Sequence, residues 1–64
     1  MIGEKIKAIR KSKGWTQQKL GKKAGLNPNI VQYIEAGNHE PRYAYVEYLL
    51  EAMGYKLEIV RIEE

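Results

Sequence analysis

The segment Trp15–Gly37 reads WTQQKLGKKAGLNPNIVQYIEAG and contains two short helical patterns around one glycine. Thr16 is a favourable N-cap for the first helix. Asn27 followed by Pro28 marks the start of the second, because Pro at the first helical position needs no N–H. Gly25 between them tolerates the positive φ that a tight turn requires. The inward apolar positions are Leu20, Ala24, Ile30, Val31 and Ile34. Neither helix can bury a core alone, so the segment predicts a helix pair supported by other elements.

Two further helices are predicted, one on each side of this pair. Before Gly14, isoleucines recur at the i, i+4, i+7 spacing of a buried helical stripe, at Ile2, Ile6 and Ile9. After a loop at 38–41, a fourth helix is predicted over 42–53, and Gly54 ends it. Its inward stripe consists of Val46, Leu49, Leu50 and Met53. The chain is therefore predicted to be all-α over most of its length.

The C-terminal segment 55–62 changes period. Apolar residues first alternate with charged ones and then continue on the other face, at Tyr55, Leu57, Ile59, Val60 and Ile62. Alternation together with β-branched residues predicts a short β-strand. An exposed edge strand favours association with other strands. The strand would either pair with a second copy of the chain, or fold back on its own domain, or fray.

Composition narrows the class of protein. The 64 residues predict a single domain, 1–64, and the chain contains no Cys, no Asp and one His. No catalytic constellation or metal site can be assembled from this inventory, so we expect no enzyme activity, no cofactor and no small-molecule ligand. No apolar run approaches the roughly 20 residues that a bilayer requires. No signal-peptide pattern opens the chain, so the expected location is cytoplasmic.

The net charge of +3 is unevenly distributed. Residues 1–32 carry eight Lys or Arg and one Glu, a net charge of +7, whereas residues 33–64 carry three basic residues and seven Glu, a net charge of −4. The first half is suited to a polyanion. The alternative is that its lysines only solvate helix faces.

Two short helices joined by a glycine-containing turn form the helix-turn-helix unit. The segments IRKSKGWTQQKLGKKAG, IVQYIEAGNHEPR and YLLEAMG resemble the lambda-repressor-like, XRE-type DNA-binding domains of bacteria and their phages. The resemblance covers residues 4–54 and implies a four-helix, all-α domain. The sequence departs from the family at Gly21, usually Ala, at Lys19, usually Glu, and at Pro28, often a polar base-reading residue.

The resemblance implies that the third helix, 28–36, lies in the major groove while the second crosses the backbone. The residues expected to read bases are Pro28, Asn29, Ile30, Gln32 and Tyr33. Asn and Gln can form bidentate hydrogen bonds with adenine, and the alternative is ordinary solvated surface. Tyr33 would contact a base, a phosphate or a thymine methyl, or pack beside Ile30. Ile30 is either a thymine-methyl contact or a partly exposed staple.

The resemblance also implies phosphate contacts at the start of the second helix and in the loop after the third. The residues expected there are Thr16, Gln17, Lys22, Asn38, His39 and Arg42. An exposed acid at the end of the reading helix would repel phosphates, so Glu35 is expected to be structural. Its expected partner is Arg10.

The expected function is a DNA-binding transcriptional regulator, a repressor that binds double-stranded DNA. Pseudo-palindromic sites require a dimer, and a strand at 55–62 paired across a two-fold axis would supply this homodimer. The alternative is an antitoxin that binds a toxin protein and represses its own operon, with the acidic second half and the apolar strand as the toxin-binding surface.

Overall fold

The computed structural model describes residues 1–63. Its four helices are α1 (Ile2–Ser12), α2 (Gln17–Ala24), α3 (Pro28–Ala36) and α4 (Tyr43–Ala52). They confirm the prediction of an all-α, four-helix domain. No helix within residues 1–63 is both long enough and apolar enough to cross a membrane.

The core is assembled from all four helices. Its buried side chains are Ile6, Leu20, Val31, Ile34, Val46, Leu49, Leu50 and Met53. Each fully buried aliphatic side chain of this size stabilises the fold by about 1.5–3 kcal/mol relative to its exposure. Because α2 contributes Leu20 alone to the buried set, its position depends on its neighbours. The short helices of the central segment are therefore held by α1 and α4.

The turn between α2 and α3 follows from its capping residues. The Thr16 hydroxyl oxygen accepts a hydrogen bond from the backbone N–H of Lys19 at 3.0 Å. The Asn27 side-chain oxygen accepts one from the backbone N–H of Asn29 at 2.8 Å. Between the helices, Gly25 has a φ of 73°, a left-handed conformation that glycine adopts without strain. These caps fix the start of α2 and of α3, and with them the orientation of the pair.

Two helical glycines allow close approach of neighbouring backbone. A Cβ at Gly21 would lie 2.7 Å from the carbonyl oxygen of Leu26 and 3.3 Å from the nitrogen of Pro28. The close contact of Gly21 is thus with the turn and the first residue of α3. A Cβ at Gly3 would collide with the backbone carbonyl of Ile34. Gly3 thus lets α1 pack directly on the last turn of α3.

The predicted β-strand at 55–62 is wrong. Within the described residues, the segment after α4 has no regular secondary structure. The Tyr55 N–H donates to the Leu50 carbonyl at 2.8 Å, which closes α4, and Leu57 is half-buried against the core. Ile59, Val60 and Ile62 are exposed. A strand needs a partner for its ladder of hydrogen bonds, and residues 1–63 contain no other strand to supply one.

Candidate nucleic-acid interface

The outward face of α3 carries most of the residues that were expected to read bases. Asn29, Gln32 and Tyr33 are exposed, as is Pro28 at the helix start. Val31, Ile34 and Glu35 occupy the opposite, buried face. Pro28 cannot donate a hydrogen bond to a base, because it has neither a backbone N–H nor a polar side chain. The polar side chains available to this face of α3 are therefore Asn29, Gln32 and Tyr33.

Ile30 lies at the edge of the core rather than on the exposed face. It is half-buried and packs against the buried cluster. It also lines a cleft of about 420 Å³ between α3 and the segment that leads into α4. The other residues lining this cleft include Asn29, Tyr33, Glu40, Arg42 and Tyr45.

The loop after α3 folds beside the exposed face of α3. The rings of Tyr33 and His39 are stacked, with centroids 5.7 Å apart and an interplanar angle of 13°. This contact restricts the orientation of the Tyr33 side chain, which is otherwise half exposed. The sequence placed His39 among the phosphate-contacting residues and did not anticipate the stack, since the two residues are joined only through the fold of the loop.

The polar loop residues that were expected at phosphates remain accessible. Asn38, His39 and Arg42 are all exposed. The Arg42 guanidinium lies 5.9 Å from the centre of the Tyr45 ring, a cation–π distance. Arg42 also precedes the first residue of α4 as its N-cap position. The loop thus presents one cationic side chain whose guanidinium lies against an aromatic ring.

At the start of α2, Gln17 is directed partly into the protein. Its Nε2 donates a hydrogen bond of 3.0 Å to the Glu35 carboxylate. Gln17 shares the inward side of α2 with Leu20 and Gly21, at i+3 and i+4, and that spacing could have indicated the contact. Its Oε1 and second N–H are not used by this bond. The adjacent Thr16 hydroxyl accepts a hydrogen bond from Lys19 and keeps its own hydrogen free to donate.

Arg10 and Glu35 form a buried ion pair behind this surface. Arg10 Nε donates to Glu35 Oε2 at 2.7 Å and Nη2 donates to Oε1 at 2.9 Å, with both side chains less than a tenth exposed. Arg10 Nη1 also donates to the Trp15 carbonyl at 2.6 Å. Arg10 thus joins α1 to the turn that follows it and to α3, and the Gln17 hydrogen bond to Glu35 adds α2 to the same network.

Burial and hydrogen bonding act in opposite directions on Glu35. Burial raises the pKa of its carboxyl, but the hydrogen bonds from Arg10 and Gln17, with the charges of Arg10 and Lys7, leave that pKa below its ordinary value. The hydrogen bond to Glu35 raises the pKa of Arg10. Both groups are therefore charged at neutral pH.

A second cluster, not anticipated from the sequence, surrounds Trp15. The ammonium groups of Lys13, Lys19 and Lys23 each lie 5.4 Å from the centre of the indole ring. Trp15 itself is half-buried in the turn between α1 and α2. Among residues 1–63 the ion pair found is Arg10–Glu35, so none of these lysines has a carboxylate partner there.

Residues 6–60 match the helix-turn-helix family, and the chain belongs to this family, in its XRE type. The match includes all of α2, α3 and α4 and most of α1.

Three relatives share similarity with this chain over 70% or more of its length. The chain is 33% identical over 63 residues to an immunity repressor protein of Bacillus phage phi105, covering 98% of this chain and 44% of that protein. It is 40% identical over 45 residues to an uncharacterized HTH-type transcriptional regulator, YazB, of Bacillus subtilis, covering 70% and 65%. It is 35% identical over 53 residues to a competence pilus inhibition repressor of Acinetobacter baylyi, covering 83% and 48%.

The chain thus spans between 44% and 65% of the length of these relatives. No solved structure matches it significantly.

Proposed function

We propose that the chain is a sequence-specific, DNA-binding transcriptional regulator, and that it acts as a repressor. It would place α3 in the major groove of double-stranded DNA and exclude the transcription machinery from the occupied site. The observation that carries the proposal is the exposed face of α3, with Asn29, Gln32 and Tyr33 on a helix whose other face is fixed by a buried ion pair. Two of the relatives are named repressors, which supports the negative sign of regulation.

The physical basis of recognition is hydrogen bonding to base edges. Asn and Gln side chains each offer one donor and one acceptor in the geometry that adenine presents in the major groove. Pro28 contributes shape and apolar contact only. The stacked Tyr33 ring would meet a thymine methyl, a base edge or a phosphate. No chemical step is needed for this function, and none of these residues has to change its protonation state.

Phosphate contacts would position α3 without reading sequence. The exposed residues expected to donate to phosphate oxygens are Thr16, Lys22, Asn38, His39 and Arg42. Gln17 joins them through the N–H that Glu35 does not take. The segment at the start of α2 adds free backbone N–H groups at the positive end of a helix.

We also propose that two copies act together on a pseudo-palindromic site. The exposed apolar residues after α4 supply a contact surface for a second copy, at Tyr55, Ile59, Val60 and Ile62, with the half-buried Leu57 between them. Exposed apolar side chains that follow one another along a segment favour association. A regulator of this kind acts where the DNA lies, in the cytoplasm. The antitoxin alternative stays a prediction, since no feature of the site favours a toxin as partner.

Selection of binding sites from a random-sequence duplex pool, at defined salt, tests the proposal. We expect a recurrent sequence with two related halves. Footprinting on that sequence should protect both halves. Recovery of unrelated sequences, bound no better than bulk DNA, would contradict sequence-specific recognition.

A further inference from the structure

The lysine cluster around Trp15 lies on the side of α2 that is turned away from α3 and its exposed residues Asn29, Gln32 and Tyr33. We call the residues Lys13, Trp15, Lys19 and Lys23 the Trp15 surface. Lys19 and Lys23 are one helical turn apart, and at 3.6 residues per turn Lys19 points about 200° away from Gln17 around the axis of α2. Gln17 bonds to Glu35 of α3, so the Trp15 surface faces away from α3.

Three like charges are held close together on this surface. Because each ammonium lies 5.4 Å from the same ring centre, no two of them can be farther apart than twice that distance. This separation is comparable to the screening length at physiological salt, about 8 Å, so their repulsion is only partly screened. Within residues 1–63 no carboxylate lies within ion-pairing distance to relieve it. The cluster is therefore a concentrated positive charge that an external anion would stabilise.

The surface also has room for a ligand. A shallow depression of about 520 Å³ adjoins it, lined by Thr16, Gln18, Lys19, Lys22 and Lys23. Thr16 and Lys22 belong to the proposed phosphate contacts, so the depression joins the two surfaces. The Trp15 ring holds the ammonium groups in place without neutralising them. The ligand implied is an extended polyanion that continues past the start of α2.

We propose that the Trp15 surface binds the phosphate backbone of duplex DNA outside the segment that α3 reads. This inference rests on the proposed function. About 10 Å of duplex carries about three phosphates on each strand, which matches three ammonium groups within the span set by the ring. Since the surface adjoins the phosphate contacts proposed at Thr16 and Lys22 but lies away from α3, the phosphates it meets lie beyond the segment that α3 reads. The surface thus adds affinity that is independent of the flanking sequence.

A series of duplexes of different length tests this. The selected site is placed in a short duplex, with two flanking base pairs on each side, and in a long one, with twelve. Wild type should bind the long duplex more tightly. Each neutralised phosphate adds about 0.9 to the slope of log affinity against log salt, so the slope should be steeper by close to three for each bound copy on the long duplex.

The decisive variant is Lys13→Gln/Lys19→Gln/Lys23→Gln. It should lose the length dependence and the extra salt slope, while its affinity for the short duplex changes little. The matched control, Lys5→Gln/Lys11→Gln/Lys56→Gln, removes the same charge at other exposed positions and should keep both. Thermal unfolding of both variants checks that they fold. Trp15 is the sole tryptophan, so its fluorescence reports directly on the surface and should change more with the long duplex than with the short one.

Three results would overturn the inference. In the first, wild type shows no length dependence. In the second, both triple variants lose it equally, which would mean net charge alone is responsible. In the third, a short oligoglutamate peptide alters Trp15 fluorescence while the long duplex does not, which would identify an acidic protein as the ligand. If no duplex is bound specifically in the first place, the proposed function fails instead, and the two failures are distinguishable.

Discussion

Arg10 in the last turn of α1 and Glu35 in the last turn of α3 are joined by two parallel hydrogen bonds, at 2.7 and 2.9 Å, beneath the surface that α3 presents. The pair is 25 residues apart in sequence and almost completely buried. Its geometry is the bidentate arrangement that makes Arg–carboxylate contacts the strongest of their kind. The two residues therefore help to hold α1 against α3.

Replacement of Glu35 by Ala should destabilise the fold strongly. It leaves the buried Arg10 guanidinium without its carboxylate, and removal of one partner from a buried ion pair typically costs 3–5 kcal/mol. Urea unfolding measures the loss. Glu51→Ala, which removes an exposed carboxylate, is the matched control and should change stability little. Base preference of the folded fraction should be unchanged. A loss below 1 kcal/mol for Glu35→Ala would show that the pair is dispensable.

The pair should also make stability depend on pH in the acid range. The pKa of Glu35 is lower in the folded protein than its ordinary value near 4.5, so the unfolded chain takes up the proton first. The stabilisation is therefore complete above the ordinary value and is lost as the pH falls through the folded value. Urea midpoints between pH 6 and pH 3 should fall more steeply for wild type than for Glu35→Gln. Equal slopes would exclude a role for this carboxylate.

Two neighbouring glutamines offer a matched test of the network. Gln17 donates to the buried Glu35 carboxylate, whereas Gln18 is exposed and makes no such bond. A hydrogen bond to a charged group contributes about 1.5–3 kcal/mol, so Gln17→Ala should lower the free energy of unfolding by an amount in that range. Gln18→Ala should have an effect within about 0.5 kcal/mol. Chemical denaturation of the two variants compares them directly, and indistinguishable midpoints would place Gln17 outside the network.

Much of the fold could be predicted from local signals. Thr16 and Asn27 cap their helices through bonds to nearby N–H groups, so the starts of α2 and α3 are encoded within a few residues. Contacts between distant segments were harder to predict from the sequence. Periodicity does not reveal that Gly3 must admit the carbonyl of Ile34, because the clash depends on how α1 crosses α3.

The C-terminal segment and the Trp15 surface both show where local sequence patterns fail: the first is a predicted strand that does not form, and the second is a cluster that was not predicted. The pattern at 55–62 satisfied the local preference for a strand, yet a strand requires a partner, and residues 1–63 provide none. Lys19 and Lys23 are one helical turn apart, but their contact with the Trp15 ring, shared with Lys13, depends on how the turn between α1 and α2 folds. Both outcomes are set by tertiary contacts.

The reading face of α3 should carry sequence preference at individual base positions. Gln32→Ala and Asn29→Ala should each weaken binding to the selected site by about 1–3 kcal/mol and relax preference at one base position. The reason is that a bidentate contact to one base is removed while phosphate contacts stay. Quantitative binding to single-base variants of the site measures both effects. The control is Gln18→Ala, which removes an amide from α2 and should leave the preference intact. Unchanged affinity and preference for Gln32→Ala would mean that another surface reads the DNA.

The apolar segment after α4 should govern the number of chains in the complex. Ile59 and Ile62 are almost fully exposed in the single chain, so charged replacements there remove no packing within it. Ile59→Asp/Ile62→Asp should therefore melt like wild type but sediment as a monomer if wild type sediments as a dimer. On DNA the variant should bind one half of the selected site nearly as well as wild type and lose most of its advantage on the full site. A control with Glu58→Asp/Glu63→Asp keeps the charge and should keep the dimer. A dimeric mass for the isoleucine variant would show that the interface lies elsewhere. A monomeric mass for wild type, at the concentrations that saturate DNA, would show that the two copies pair only on the DNA.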